Sequence, residues 1–272
     1  MNEDFGDRMK LYENVESARR FMPLLPVCVR LDGRSFSKFT KGMKRPYDEK
    51  MSELMINTTK YMVEETNANI GYTQSDEISL VFYSDDFKSQ IFFDGRIQKM
   101  TSTLAAMCSV YFNSKLPEYF LDKVKFMPTF DCRAWQVPSL VEAVNTILWR
   151  EQDATKNSIS MAARSYFSHK MLQDKNGSEM QEMLFSKGVN WNDYPTFFKR
   201  GTYIQRRKIV RKFTAGELDL LPEKHEARKN PDLKIERTEI RVLDLPPLSK
   251  VINRVEVIFE GIDPIIEKRL SD

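Results

Sequence analysis

The chain has 272 residues, 42 Lys+Arg against 39 Asp+Glu, a formal net charge of +3, and 41% hydrophobic residues. That balance supports a buried core and excludes a disordered or collagen-like chain. No run of about 18 apolar residues occurs, so no membrane span is expected. The acidic start at Glu3 and Asp4 has no apolar stretch behind it, which predicts no secretory leader and a cytoplasmic protein, with an organellar location as the alternative. The three cysteines, Cys28, Cys108 and Cys132, are far apart and accompanied by only two histidines, His169 and His225. This argues against a structural zinc site and against a Ser-His or Cys-His nucleophile, and for reduced buried thiols.

Residues 3–22 read as a helix with Leu11, Val15, Ala18 and Met22 at near-helical spacing. Val27–Leu31, after Pro26, reads as a buried strand ending at Asp32-Gly33. Pro46 and Asp48 open a helix with Met51, Leu54, Met55, Thr58 and Met62 on one face. Ile70–Thr73 and Ile78–Phe82 are strand-like, and Gln74-Ser75-Asp76-Glu77 between them is a hairpin turn. A long helix is predicted over 95–114, a strand over Phe126–Arg133, and two helices over Pro138–Arg150 and Gln152–His169. Strand–helix–strand–strand–helix–strand is the split βαββαβ arrangement, an α+β fold with helices on one face of an antiparallel sheet. Lys175-Asn176-Gly177-Ser178 reads as a loop, Thr202–Val210 as a strand, and the charged stretch 222–241 as an exposed excursion. The expected division is a catalytic core over 1–137 and a helical and β extension over 138–272, either separate or continuous with the core.

The most informative feature is a pair of acidic loci at strand ends. Asp32 closes one apolar strand, and Asp76 and Glu77 occupy a hairpin tip. Adjacent strands would bring these carboxylates to one edge. Carboxylates held so close repel unless a cation sits among them, and their hard oxygens suit Mg²⁺. Two such ions, about 4 Å apart, serve phosphoryl or nucleotidyl transfer. Gly33-Arg34-Ser35-Phe36-Ser37-Lys38 offers a backbone open to phosphate, hydroxyls and cations, with Lys41, Lys44 and Arg45 downstream. Asp-Gly and Ser-Asp-Glu are also ordinary turn sequences.

Val29–Phe36, Gln74–Ser79 and Phe130-Asp131-Cys132-Arg133 together resemble the tRNA-His guanylyltransferase superfamily, the 3′–5′ nucleotide-adding enzymes. Trp149-Arg150-Glu151-Gln152-Asp153, Gly188–Asn192 and Lys199–Thr202 extend the resemblance over roughly residues 3–210. It implies a polymerase-like palm. Two Mg²⁺ ions would be held by Asp32, Asp76 and the Gly33 carbonyl, with Glu77 adjoining as a third catalytic carboxylate. A triphosphate would lie over Asp32, Gly33, Arg34, Ser35, Phe36 and Ser37, with Ser75 nearby. It also implies ATP activation of a tRNA 5′-phosphate, attack by the 3′-hydroxyl of GTP or another NTP, and a homotetramer built as a dimer of dimers.

The family members acting on tRNA-His carry the run His-Ile-Asn-Asn-Leu-Tyr-Asn, where this chain has Thr155-Lys156-Asn157-Ser158-Ile159-Ser160-Met161. Only Asn157 clearly survives, either as a polar contact to nucleotide or RNA or as a helix-interior hydrogen bond or solvated side chain. The departure resembles the guanylyltransferase-like branch that repairs truncated 5′ ends by Watson–Crick templating. Addition of a single guanosine at position −1 of tRNA-His is the alternative. A tRNA-binding protein without catalysis and a nucleotide cyclase are further readings; intact Asp32, Asp76 and Glu77 disfavour the former, and the extension disfavours the latter.

Arg206, Arg207, Lys208, Arg211 and Lys212 place five cations within seven residues. They could follow an RNA backbone or form a solvated strand edge. The small net charge requires any such patch to be local. Trp135, Trp149 and Trp191 are expected in the core or at an interface rather than as base-stacking platforms.

Overall fold

The computed structural model describes residues 3–230 and 232–267. Its strands are β1 (Val27–Arg34), β2 (Ile70–Gln74), β3 (Glu77–Phe82), β4 (Thr129–Gln136), β5 (Thr202–Lys212) and β6 (Lys234–Leu243). They form one antiparallel sheet in the order β4-β1-β3-β2-β5-β6. Its helices are α1 (Glu3–Ser17), α2 (Phe36–Phe39), α3 (Glu49–Thr66), α4 (Ile97–Tyr119), α5 (Leu140–Arg164), α6 (His169–Leu172), α7 (Gly177–Phe185), α8 (Thr196–Arg200), α9 (Ala215–Leu220) and α10 (Glu226–Lys229).

Strand alternation separates two cores. Val27, Val29 and Leu31 of β1, with Ile78, Leu80 and Phe82 of β3, meet α3 and α4 through Leu54, Met55, Met62, Leu104, Cys108 and Phe112. On the opposite face Cys28, Ile70, Tyr72, Val81 and Tyr203 meet Val144 and Ile147 of α5 and Leu248, Val251 and Val257 near the C-terminus. The α+β split arrangement is therefore present, but helices cover both faces rather than one. The sheet also runs on past residue 137, because β5 pairs with β2.

Local chemistry sets the helix ends. The Asp48 carboxylate accepts the Lys50 and Met51 N–H groups and starts α3. Ser139 does the same for α5 through Glu142. The two helices expected over 138–169 are one, because Leu140–Arg164 contains neither glycine nor proline to break it. Asn176 caps α7 in a reciprocal pair with Glu179, so the expected loop ends as a helix start. α1 stops at Ser17, short of the expected 22.

The stretch 222–241 is not an excursion: it forms α10 and most of β6, and β6 pairs with β5 over ten residues. The ladder with β5 holds it in the sheet, and acids of this stretch and of α9 answer the cations of β5. Lys208 meets Glu236 at 3.0 Å, Arg211 meets Glu217 at 2.6 Å, and Lys212 meets Asp232. The three cysteines are free thiols, two of them buried. Burial raises Cys28 to about 11 against a lowering contact from Thr146, and raises Cys132 to about 12 with the Asp131 charge. Neither is poised as a thiolate nucleophile.

Candidate active site

Asp32 sits near the end of β1, directly opposite Glu77 of β3 and Asp131 of β4. Register places all three on the face that α5 covers. The β2–β3 turn is Ser75-Asp76, with Ser75 in the left-handed region at φ 51°. The Gly33 N–H donates to the Asp76 carbonyl at 3.1 Å, which ties the two acidic loci together. Ser75 Oγ donates to Asp76 Oδ1 at 3.0 Å. Burial holds the Asp76 carboxyl above its ordinary value; the Ser75 hydroxyl opposes this and the Asp32 charge reinforces it.

Glu77 differs from these two. It is buried, and Arg150 of α5 donates to both its oxygens, Nε to Oε1 at 2.7 Å and Nη2 to Oε2 at 2.8 Å. Burial raises its carboxyl and Arg150 lowers it. Arg30 approaches the same carboxylate at 4.0 Å. Glu77 is thus committed to guanidinium, whereas Asp32 and Asp76 have no ion pair among the described residues. No group of three or more His, Cys, Asp or Glu side chains suited to a metal occurs among the described residues. The oxygen donors at this corner are two aspartates and main-chain carbonyls.

Arg150 extends the arrangement. Its Nη2 also donates to Asp153 at 3.0 Å, and Asn157 Nδ2 donates to the same Asp153 oxygen at 3.3 Å. Arg150, Asp153 and Asn157 lie three and four residues apart, on one face of α5. The sequence motif at 149–153 contains Arg150 and Asp153 without marking them as site residues; their helical spacing with Asn157 is the signal that points to them.

Beside Asp76 opens a pocket of about 820 Å³ lined by Lys44, Arg45, Tyr47, Asp48, Gln74, Ser75, Asp76, Asn157, Ser158, Met161, Phe197 and Phe198. It gathers Lys44, Arg45, Ser75, Asp76 and Asn157 from the expected set. Tyr47 packs against Phe197 and Phe198 with ring centroids 5.3 and 4.8 Å apart, giving the pocket an aromatic wall that no sequence motif signalled. Arg34 and Ser35 line a separate groove with Lys38 and Phe126–Thr129. Phe36 is a core side chain, 5.1 Å from Phe130 and 5.7 Å from Phe112, so only its backbone is free to meet a ligand. A Cβ on Gly33 would lie 2.3 Å from the Phe36 ring, so this position needs glycine. α2 starts with Ser35 at φ 57° and no side-chain cap.

The basic run of β5 lies away from this pocket's lining and is largely answered within the chain. Besides the three ion pairs above, Arg206 donates to Thr238 and Arg207 packs beneath Gly261. Trp191 is held by a hydrogen bond to Ser158. Trp149 instead is 52% exposed, contrary to a place in the core.

Comparison with known proteins adds the following. Residues 6–138 match the family described as Thg1: tRNAHis guanylyltransferase. An uncharacterized protein of Acanthamoeba polyphaga mimivirus is 31% identical over 77% of this chain and 79% of its own length. The tRNA(His) guanylyltransferase of Neurospora crassa is 28% identical over 74% and 73%. A solved bacterial tRNA(His) guanylyltransferase (Thg1)-like protein in complex with ATP has a TM-score of 0.76 and 36% identity, over 94% of this chain and 99% of that one. A like protein in complex with GTP gives a TM-score of 0.70 and 33% identity, over 91% and 95%.

Proposed function

The chain belongs to the tRNA-His guanylyltransferase family of nucleotidyltransferases, and from that premise we propose that it adds nucleotides 3′–5′ to truncated tRNA 5′ ends under template control. The observation that carries this reading is the corner where Asp76 lines a pocket with Lys44, Arg45 and Asn157 and is tied to the Asp32-Gly33 strand, neither aspartate having an ion pair among the described residues.

Asp32, Asp76 and the Gly33 carbonyl fit hard divalent cations, since they offer only oxygen and Glu77 is already neutralised by Arg150. Mg²⁺ bound there would supply charge neutralisation at the reacting phosphate. The chain's own residues do the rest. The aromatic wall of Tyr47, Phe197 and Phe198 takes a purine face, as ATP or GTP binding requires. Lys44 and Arg45 meet the triphosphate at the pocket mouth, and the Ser75 hydroxyl lies beside Asp76. ATP transfers its adenylyl group to the tRNA 5′-phosphate and diphosphate leaves. The 3′-hydroxyl of the incoming nucleotide then displaces AMP.

Template control is supported by the replacement at Thr155–Met161. In this structure Asn157, Ser158 and Met161 of that run line the nucleotide pocket. With the tRNA-His run absent, base choice is left to the facing 3′ strand, where a mismatched base leaves hydrogen-bonding groups unpaired. The test is product length and identity on tRNAs with 5′ truncations and swapped template bases. We expect addition to several truncated tRNAs, each base set by its template, ending when the acceptor stem is complete. Guanosine addition to full-length tRNA-His alone, indifferent to template, would establish position −1 addition instead.

A further inference from the structure

A tryptophan on an enzyme surface is costly to leave in water, and Trp149 of α5 is 52% exposed beside the catalytic corner. Its ring is backed by cations. The Arg150 guanidinium carbon lies 4.5 Å from the ring centroid and that of Arg30 lies 5.8 Å away. Arg150 is the residue that grips Glu77, next to Asp76 in the chain. Arg30 is two residues before Asp32 on the same face of β1, about 7 Å along the strand. A continuous path therefore runs from the exposed ring through Arg150 and Asp153 to Asn157 in the nucleotide pocket.

Arg30 adds a second, independent observation. Its Nε is buried and has no hydrogen-bond partner among the described residues, and its nearest carboxylate, Glu77, is 4.0 Å away and already bound twice by Arg150. It also faces Arg133 directly across the β1–β4 pair. Arg133 is paired with Asp131 at 3.4 Å, so Arg30 is the cation of this pair left without a close carboxylate of its own. A half-exposed indole in contact with guanidinium groups, beside an arginine that lacks a full set of partners, is the chemistry that holds a nucleobase and its phosphate.

We propose that Trp149 is a stacking platform for the terminal base of the RNA acceptor end, with Arg30 meeting a phosphate of the same strand. This rests on the nucleotidyltransferase reading and assigns the RNA subsite within it. The purine of ATP or GTP occupies the pocket on the Asn157 side, and the RNA end reaches Asp32 across Trp149. Trp149 is then a positioning residue for RNA rather than for the free nucleotide.

The test uses the full chain with Trp135→Phe and Trp191→Phe, leaving Trp149 as the sole tryptophan. It is titrated without nucleotide with a 5′-phosphorylated acceptor-stem RNA. We expect quenching of Trp149 emission on binding. Trp149→Ala should weaken RNA affinity about 5- to 150-fold, while Trp149→Phe keeps most of it, since every aromatic face stacks. Arg30→Gln should lower the slope of log affinity against log salt by about one. If the sole-tryptophan chain does not fold, Trp149→Ala and Trp149→Phe in the unaltered chain carry the test. The loss should then fall on KM for RNA and not on KM for ATP. RNA binding and extension by Trp149→Ala equal to Trp149→Phe would overturn the platform while leaving the enzyme reading intact. So would a blue-shifted Trp149 emission without RNA and dissociation of an assembly by Trp149→Ala, which would place the ring against a second copy. A parent protein that neither binds nor extends RNA would overturn both.

Discussion

Arg150→Met cuts the link between α5 and Glu77, beside the Ser75-Asp76 turn, and its cost follows from burial. Glu77 and Arg150 are each 7% exposed and share two hydrogen bonds of 2.7 and 2.8 Å. The methionine fills most of the arginine stem but leaves the buried carboxylate without both hydrogen bonds, with only Arg30 nearby at 4.0 Å. Breaking such a pair from one side costs about 3–5 kcal/mol, far more than an exposed ion pair is worth. For a chain of this size each kcal/mol lowers Tm by about 2–4 °C, so thermal melting should fall by roughly 6–20 °C. The remedy distinguishes buried charge from lost packing. Adding Glu77→Gln removes the orphaned charge, and a neutral amide is far cheaper to bury than an ion. The double variant should regain at least about 2 kcal/mol of the loss in urea unfolding. Arg150→Lys should fall between parent and Arg150→Met, because one ammonium cannot bridge both Glu77 oxygens and Asp153 as the guanidinium fork does. Melting of Arg150→Met within about 2 °C of the parent, or a double variant no more stable than the single, would refute the reasoning.

The legible parts of this protein are those in which local sequence and tertiary role agree. The strand carrying Asp32, the α3 cap at Asp48 and the Ser75-Asp76 turn were readable, because period, cap and turn chemistry act within a few residues, although β1 runs on to Arg34 where Asp32-Gly33 was read as its end. What was not readable depended on partners far along the chain. β6 is exposed and charged as read, but it looked like an excursion because its strand partner lies some 28 positions earlier, as between Lys208 and Glu236. The cationic run of β5 looked like a free patch for the converse reason. Helices cover both faces because α5 follows the split βαββαβ unit and buries Val144 and Ile147 on the face that pattern leaves open. Within the site, adjacency in sequence misled. Asp76 and Glu77 are neighbours, yet strand alternation and Arg150 give them different surroundings. Phe36 sits inside a polar motif, yet its ring belongs to the core, and the pocket's aromatic wall joins Tyr47 to residues 197–198.

The remaining predictions concern charge at the site. Asp32→Asn or Asp76→Asn should lower nucleotide addition by several orders of magnitude while Tm stays level or rises, since a crowded carboxylate is removed; near-normal turnover of the Asp76 variant would exclude it as a metal ligand. Burial raises the Glu151 carboxyl above its ordinary 4.5, against lowering by the Tyr203 and Leu248 hydrogen bonds. The folded chain therefore holds this proton to higher pH than the unfolded one, and the group draws stability down as pH rises through that window. Urea unfolding of Glu151→Gln should thus improve relative to the parent as pH rises through and above 4.5, and a constant difference would contradict the shift. The last prediction separates the two halves of the reaction. Lys44 and Arg45 are exposed, line the pocket with Asp76, and have no ion pair among the described residues. A charged hydrogen bond to phosphate is worth about 1.5–3 kcal/mol, so losing either should cost roughly 10- to 150-fold where the triphosphate of ATP is bound. A tRNA carrying a 5′-monophosphate needs that ATP, whereas one with a 5′-triphosphate already has its leaving group. Lys44→Ala and Arg45→Ala should therefore impair extension of the monophosphate substrate far more than the triphosphate one, in single-turnover assays at matched RNA concentration. An equal loss on both would move these side chains from activation to the incoming nucleotide or the RNA, because only those ligands are common to the two substrates.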